Sequence, residues 1–289
     1  MSFEALFLVF ISALFHVGWN FWVKNSKNKQ IYIWWMFTSA FLVSSPISIF
    51  HFSGWEAMPT KSALACLSAG FMFSFYQLCT AKAYQKGDLS VVYPLSNLTP
   101  LFVPIWAVCF LHEGLSFLGI IGILLTTLGA CLIHFSPYSE EKTNKKNKKA
   151  ALWALSASFF ASMGAVLDKA GVDLIPQSLL IHYITLMIMF MLFFLGIWAW
   201  IRFPKNIILG EIKKYPIQIL IGGLMLSGSF VFFRYGIKIC PISYAVAVRR
   251  GGILIGVWLG ILFFKESHGF SRTMASILII IGLILLKLA

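Results

Sequence analysis

The chain has 289 residues, of which 59% are hydrophobic and only 11% charged, with a formal net charge of +13. Soluble globular domains carry about a quarter charged residues, so too little polar surface exists here to face water, and a soluble enzyme is excluded. The basic residues sit in short segments between apolar runs rather than in one stripe, which argues against a nucleic-acid partner and makes them orientation signals.

About 20 apolar residues cross a hydrocarbon layer of roughly 30 Å. Such spans are expected at residues 3–23, 31–50, 62–84, 89–111 and 116–135. Met1 to Glu4 carries no base and Lys24 follows the first apolar run, so that run is expected to remain a helix rather than act as a cleaved signal. Residues 139–149 hold Glu140, Glu141 and five lysines without apolar periodicity and read as a basic linker. Five more spans are expected at 151–170, 178–201, 217–236, 242–264 and 271–288. The fold class is therefore an all-α integral membrane protein with ten transmembrane helices. Its organisation is a first five-helix unit over 1–138, the linker over 139–149, and a second five-helix unit over 150–289.

The two units are copies. A gapless shift of 153 residues places Phe110-Leu111-His112-Glu113 on Phe263-Phe264-Lys265-Glu266, Leu128-Gly129 on Ile281-Gly282, and Ser90 on Ser243. An odd number of helices per unit makes the second copy enter from the opposite side, so the repeats are inverted. In proteins built this way the solute site lies near the midplane between the halves. Lysine and arginine crowd the loops on the linker's side, whereas Lys61, Lys169, Lys238 and Lys287 alone fall on the other. That bias puts the linker in the cytoplasm and both termini outside.

Several stretches are similar to the EamA family of the drug/metabolite transporter superfamily. They are Ala83-Tyr84, Gly87-Asp88-Leu89-Ser90-Val91-Val92-Tyr93-Pro94-Leu95, Pro100, and Phe110-Leu111-His112-Glu113. The glycines Gly119, Gly122 and Gly129 continue the match, as do Ile242 through Arg250 and Lys265-Glu266 in the second half. The resemblance implies a basket of ten helices around a central cavity lined by the third, fourth, eighth and ninth spans, helped by the first and sixth. It also implies alternating access and a small-molecule substrate such as an amino acid, another metabolite or a nucleotide-linked sugar. Several relatives are drawn with both termini in the cytosol, whereas the lysine bias here argues the reverse.

Charges inside a span face a bundle interior or water and mark a pathway. Arg249 and Arg250 stand about a third of the way into the ninth span, and the repeat shift pairs them with Ser96 and Asn97. Asn97 and Arg250 are thus expected at one depth, bracketing a solute, with Tyr93 one turn before Asn97. Guanidinium forks suit carboxylates and phosphates, which favours an anionic or zwitterionic substrate; pairing of one arginine with a helix end or a carboxylate is the plainer reading. Arg234, Tyr235, Tyr76 and Gln77 are further binding candidates, although a lone aromatic is more often packing. His16 and Asn20 share a face of the first span, and Trp19 with Lys24 fits either a gate or an interface belt. Asp168 and Lys169 read as a helix end reaching water, yet Asp168 is the best acidic candidate for proton coupling. Glu113 and Glu266 sit at hairpins where capping the next helix explains them. Pro94, Pro100 and Pro104, with Gly251 and Gly252, interrupt or loosen the fourth and ninth spans.

The cysteines Cys66, Cys79, Cys109, Cys131 and Cys240 lack CxxC spacing and the histidines lack HExxH, so no metal, disulfide or other cofactor is expected. No G-x-x-x-x-G-K-[ST] loop is present to hydrolyse ATP. The residues therefore point to a secondary transporter or exchanger of a small metabolite in a bacterial inner membrane, coupled to protons or a counter-substrate, and not to an enzyme. A flippase of lipid-linked sugars, or a subunit of one, is the alternative; an intramembrane enzyme is the weaker third.

Overall fold

The computed structural model describes residues 1–24, 26, 28–51, 58–86, 92, 95–132, 145–254 and 270–289. Eleven α-helices lie among them: α1 (Phe3–Lys24), α2 (Lys29–Phe50), α3 (Thr60–Lys86), α4 (Thr99–Leu111), α5 (Phe117–Leu132), α6 (Lys145–Asp173), α7 (Leu180–Arg202), α8 (Lys205–Lys214), α9 (Pro216–Lys238), α10 (Ile242–Gly251) and α11 (Phe270–Leu288). Among the described residues, α1, α2, α3, α6, α7 and α9 are long and apolar enough to cross a membrane. Side chains such as Phe50, Ile49 and Ile201 point outward, as expected when lipid is the solvent and the backbone satisfies its own hydrogen bonds.

The closest helix pairings are mirrored when the two halves are exchanged. α1 packs on α9 as α6 packs on α3; α2 packs on α9 as α7 packs on α3; α1 packs on α10 as α6 packs on α4. The pairs α2 with α7, α4 with α10 and α5 with α11 map onto themselves and so lie on the pseudo-two-fold axis. The same symmetry holds at the level of atoms. A Cβ on Gly129 would come within 2.7 Å of the Ala275 carbonyl oxygen and 2.6 Å of the Ile279 side chain. A Cβ on Gly282 would come within 2.8 Å of the Gly122 carbonyl oxygen and 2.7 Å of Thr126. These six positions form three pairs related by the shift of 153, so each glycine admits the backbone of the other's repeat. The fold is two inverted five-helix repeats. Consistent with an even number of crossings, the chain ends meet: the Met1 ammonium donates to the Lys287 carbonyl at 3.3 Å, and Lys287 Nζ donates to the Met1 carbonyl at 3.1 Å.

Three expectations change. Helix α6 begins at Lys145, so residues 145–149 form its first turns rather than the end of a linker. A short amphipathic helix, α8, occupies what read as a basic loop, with Ile208 and Glu211 buried and Lys205, Lys213 and Lys214 exposed. The fourth span is not one helix: Asn97 lies in a turn, Leu98 caps α4 with φ −76° and ψ 0°, and α4 starts only at Thr99. Pro100 has no N–H to donate back to residue 96, which explains a break there. In the matching place α10 ends at Gly251, and the Gly252 amide reaches back to the Arg249 carbonyl at 3.2 Å. Gly252 also serves packing, since a Cβ there would lie 2.7 Å from the Ala13 side chain.

Candidate functional site

Both interrupted spans bring side chains to the centre of the bundle. Arg250 Nη1 donates to Asn97 Oδ1 at 2.8 Å, and its Nη2 donates to Thr99 Oγ1 at 3.2 Å. The residues expected at one depth therefore touch, and the pseudo-axis passes through a hydrogen bond between positions 153 apart. Both arginines fall in the last turn of α10 rather than a third of the way along a continuous helix, where the carbonyl end of the helix dipole favours cations.

Arg249 points to α1 and α9. Its Nη2 donates to Ser229 Oγ at 2.8 Å and lies 3.1 Å from His16 Nδ1, while the guanidinium stands 4.3 Å over the Phe233 ring. A guanidinium has only donors, so His16 Nδ1 is the acceptor. Ser229 completes the set by donating to the Ser12 carbonyl at 3.1 Å. Arg234, one turn further along α9, pairs with Asp168 at 3.0 Å; the two side chains are 2% and 1% exposed. It also stands 4.3 Å over Phe230 and donates to the Phe230 carbonyl at 3.3 Å. The Tyr183 hydroxyl donates to the backbone carbonyl of Asp168 at 3.2 Å, fixing that turn of α6 against α7.

Asp168 is thus no helix end reaching water. It lies inside the bundle, and the helix runs on past it to Asp173, which takes the Lys169 ammonium at 2.7 Å. Lys169 belongs to that pair and not to the arginine cluster. Trp19 is no interface belt residue either: it is 5% exposed and meets the His16 ring edge-on at 4.9 Å. Asn20 is exposed and donates to the His16 carbonyl at 2.7 Å, a bond within its own helix. Tyr76 is half-buried on α3 and occupies the place equivalent to Ser229. Gln77 instead lines a small cleft with Gln30, Leu195 and Trp198 between α2, α3 and α7. Tyr235 packs partly buried against the apolar core, and Tyr93 lies outside the described residues.

The sequence reading passed over Thr99, Ser229 and Phe233, and it did not join His16 to Arg249. Polar residues at small-residue helix crossings gave no signal of their own. Glu113 differs as well: it caps α10 rather than the next helix, whose amide at Gly119 is taken by Ser116 Oγ at 3.0 Å.

Among the described residues, the arrangement sets three guanidiniums against one carboxylate. Asp168 answers Arg234, whereas the hydrogen bonds of Arg249 and Arg250 go to neutral groups.

The chain matches the EamA-like transporter family over residues 3–135 and again over 148–288. No curated protein matches it. Its fold is similar to that of a protein of known crystal structure, with a TM-score of 0.78 and 13% sequence identity over 100% of this chain and 98% of that one. At that identity the likeness speaks for the fold alone. Two family repeats on a ten-helix inverted-repeat fold make this a membrane transporter rather than an enzyme, and the chain belongs to the EamA-like transporter family of the drug/metabolite transporter superfamily.

Proposed function

We propose that this chain is a secondary transporter moving a small anionic or zwitterionic metabolite, one bearing a carboxylate or phosphate, by alternating access at the Arg249–Arg250 cluster. The observation that carries the reading is the charge count at the centre: two guanidiniums, both in the last turn of α10, meet only neutral partners among the described residues. Charge held inside a membrane bundle at such cost is kept for a ligand or a relay. A carboxylate or phosphate would take the forks of Arg249 and Arg250 and restore neutrality.

Asp168 supplies the coupling. A proton carried on its carboxylate frees Arg234 for the same anion, so one proton and one anion travel together. In proteoliposomes, Asp168→Asn should retain exchange of anion for anion while losing accumulation driven by a pH gradient. Retained gradient-driven uptake would remove Asp168 from the mechanism.

In this reading α8 and the start of α6 face the cytoplasm of a bacterial inner membrane and the paired termini lie outside, an orientation that the lysine bias supports. A C-terminal reporter active only in the cytoplasm should then be silent.

A thermal-shift screen of purified protein against carboxylates, phosphates and neutral amino acids tests the substrate class. Anions should raise the melting temperature of the parent. Loss of one charge-assisted contact in Arg250→Gln should weaken that response by roughly ten- to a hundredfold in concentration. An unchanged anion response in the variant sinks the assignment, and reorientation of labelled lipid without solute flux would favour a flippase.

A further inference from the structure

We propose that Glu113 is a latch: the carboxylate from the first repeat holds the N-terminus of α10 from the second, and its release is the step that opens the face bearing the chain termini. Glu113 Oε1 accepts from the Ile242 amide at 2.6 Å. Oε2 accepts from the Ser243 hydroxyl at 2.7 Å and from the Ser243 amide at 3.3 Å. These are first-turn amides without helical partners, and a negative charge at this end is favoured by the helix dipole.

The cap is not local. The residue in the N-cap position of α10 is Pro241, which makes no side-chain cap bond, so the helix start depends on an acidic group about half the chain away. A second tie lies beside it, where the Ser116 amide donates to the Tyr244 hydroxyl at 3.0 Å and the ring fills the notch left by Gly119. The ten-residue α10 then carries Arg250 in its last turn, with its bond to Asn97. The helix is therefore held to the opposite repeat at both ends by polar contacts that rigid-body movement of the halves must exchange. A helix start that is satisfied only when the repeats are together on this face couples closure of the face to the order of the helix carrying the arginines.

Cys240 is a reporter built into the chain. It is buried on the connection between α9 and α10, with Lys169, Glu113 and the N-terminus as its charged neighbours, and burial pushes its thiol up to about 12. Thiolates are the reactive species, so the latched face keeps Cys240 inert and its opening exposes it. Cys66 is also buried, but its thiol meets the Tyr183 carbonyl between α3 and α7 rather than the connection between α9 and α10.

The experiment compares two variants that keep Cys240 alone or Cys66 alone, each reconstituted in liposomes and treated with N-ethylmaleimide. Glu113→Gln should raise the labelling rate of Cys240 about tenfold or more, as expected for losing several bonds to a charged acceptor, and leave Cys66 unchanged. Ser243→Ala should raise it by a smaller factor, and combining the two should add little to Glu113→Gln, because they remove the same bonds. An unchanged Cys240 rate in Glu113→Gln overturns the latch, and so does a parallel rise at Cys66, which would mean a static cap whose loss loosens the whole bundle. The proposal rests on alternating access but is read without any solute, so its failure leaves the anion assignment standing, and failure of that assignment leaves the latch standing.

Discussion

The two repeats share their packing and differ in their charge. Where helices cross closely the copies agree: Gly129 and Gly282 serve one another's repeat, and Gly70 on α3 answers Gly223 on α9. At the centre they disagree. Positions equivalent to Arg250, Arg249 and Arg234 are Asn97, Ser96 and Ala81. Close backbone approach tolerates only the smallest side chain in either copy, so sterics keep those positions alike. The proposed metabolite has no two-fold axis, so nothing would hold the side chains proposed to bind it to symmetry.

The largest effect should come from breaking the most asymmetric contact. Asp168 and Arg234 are both buried, and removing one partner leaves an unpaired charge in the bundle. Asp168→Asn should lower unfolding stability by about 3–5 kcal/mol, read as a fall in melting temperature in detergent. Asp168→Leu combined with Arg234→Met should recover most of that loss. If the double variant is no better than the single, the pair is not what holds α6 to α9 there.

This pair was also the least legible part of the site. Asp168 is followed at once by Lys169, and the apolar run read as ending near residue 170, so a helix end in water was the natural reading. Its true partner is 66 positions away, and the repeat shift maps Arg234 onto an alanine, so symmetry gives no hint. Asn97 and Arg250 were legible for the opposite reason: a single offset links them, and an axis between equivalent positions must bring some equivalents into contact. Helix α8 escaped because its apolar side is only Ile207, Ile208, Leu209 and Ile212 among basic residues, too short for a span and too basic for a core helix. The break at Asn97 was half legible, since the prolines announced an interruption without fixing its place.

Next in size is a change that removes the charge asymmetry without removing an arginine. Asn97→Asp sets a carboxylate where Arg250 now finds an amide oxygen at 2.8 Å. The site then holds one guanidinium without an acidic partner instead of two. Anion binding should weaken by about 1.5–3 kcal/mol, the usual range for a hydrogen bond to a charged group. Isothermal titration with an anion that stabilises the parent measures this, and undiminished affinity would place the anion elsewhere.

The shared packing makes the reverse prediction. Gly129→Ala and Gly282→Ala each force a methyl to within 3 Å of a carbonyl oxygen on the facing helix. Each should cost about 1–3 kcal/mol through overpacking. The sharper demand is that the two costs agree to within about 0.5 kcal/mol, the margin to which independent sites usually add. Unequal costs would mean that the axis relates the chain path but not the packing.

Gly210 gives the smallest effect and the opposite sign. It lies on the exposed side of α8, which has no counterpart among the described residues of the first repeat, and a Cβ there meets nothing within 4 Å. With no neighbour to displace, alanine only removes backbone freedom from the unfolded chain, so Gly210→Ala should stabilise by up to about 1 kcal/mol. Since α8 joins the core through Glu211, which accepts from the Asn28 amide at 3.4 Å and side chain at 3.3 Å, and through Ile208, whose carbonyl accepts from Trp35 at 2.9 Å, the gain should appear in chemical unfolding of the whole protein. A gain confined to proteolytic resistance near Lys205 would show that α8 unfolds on its own, as a surface addition to the repeat rather than part of it.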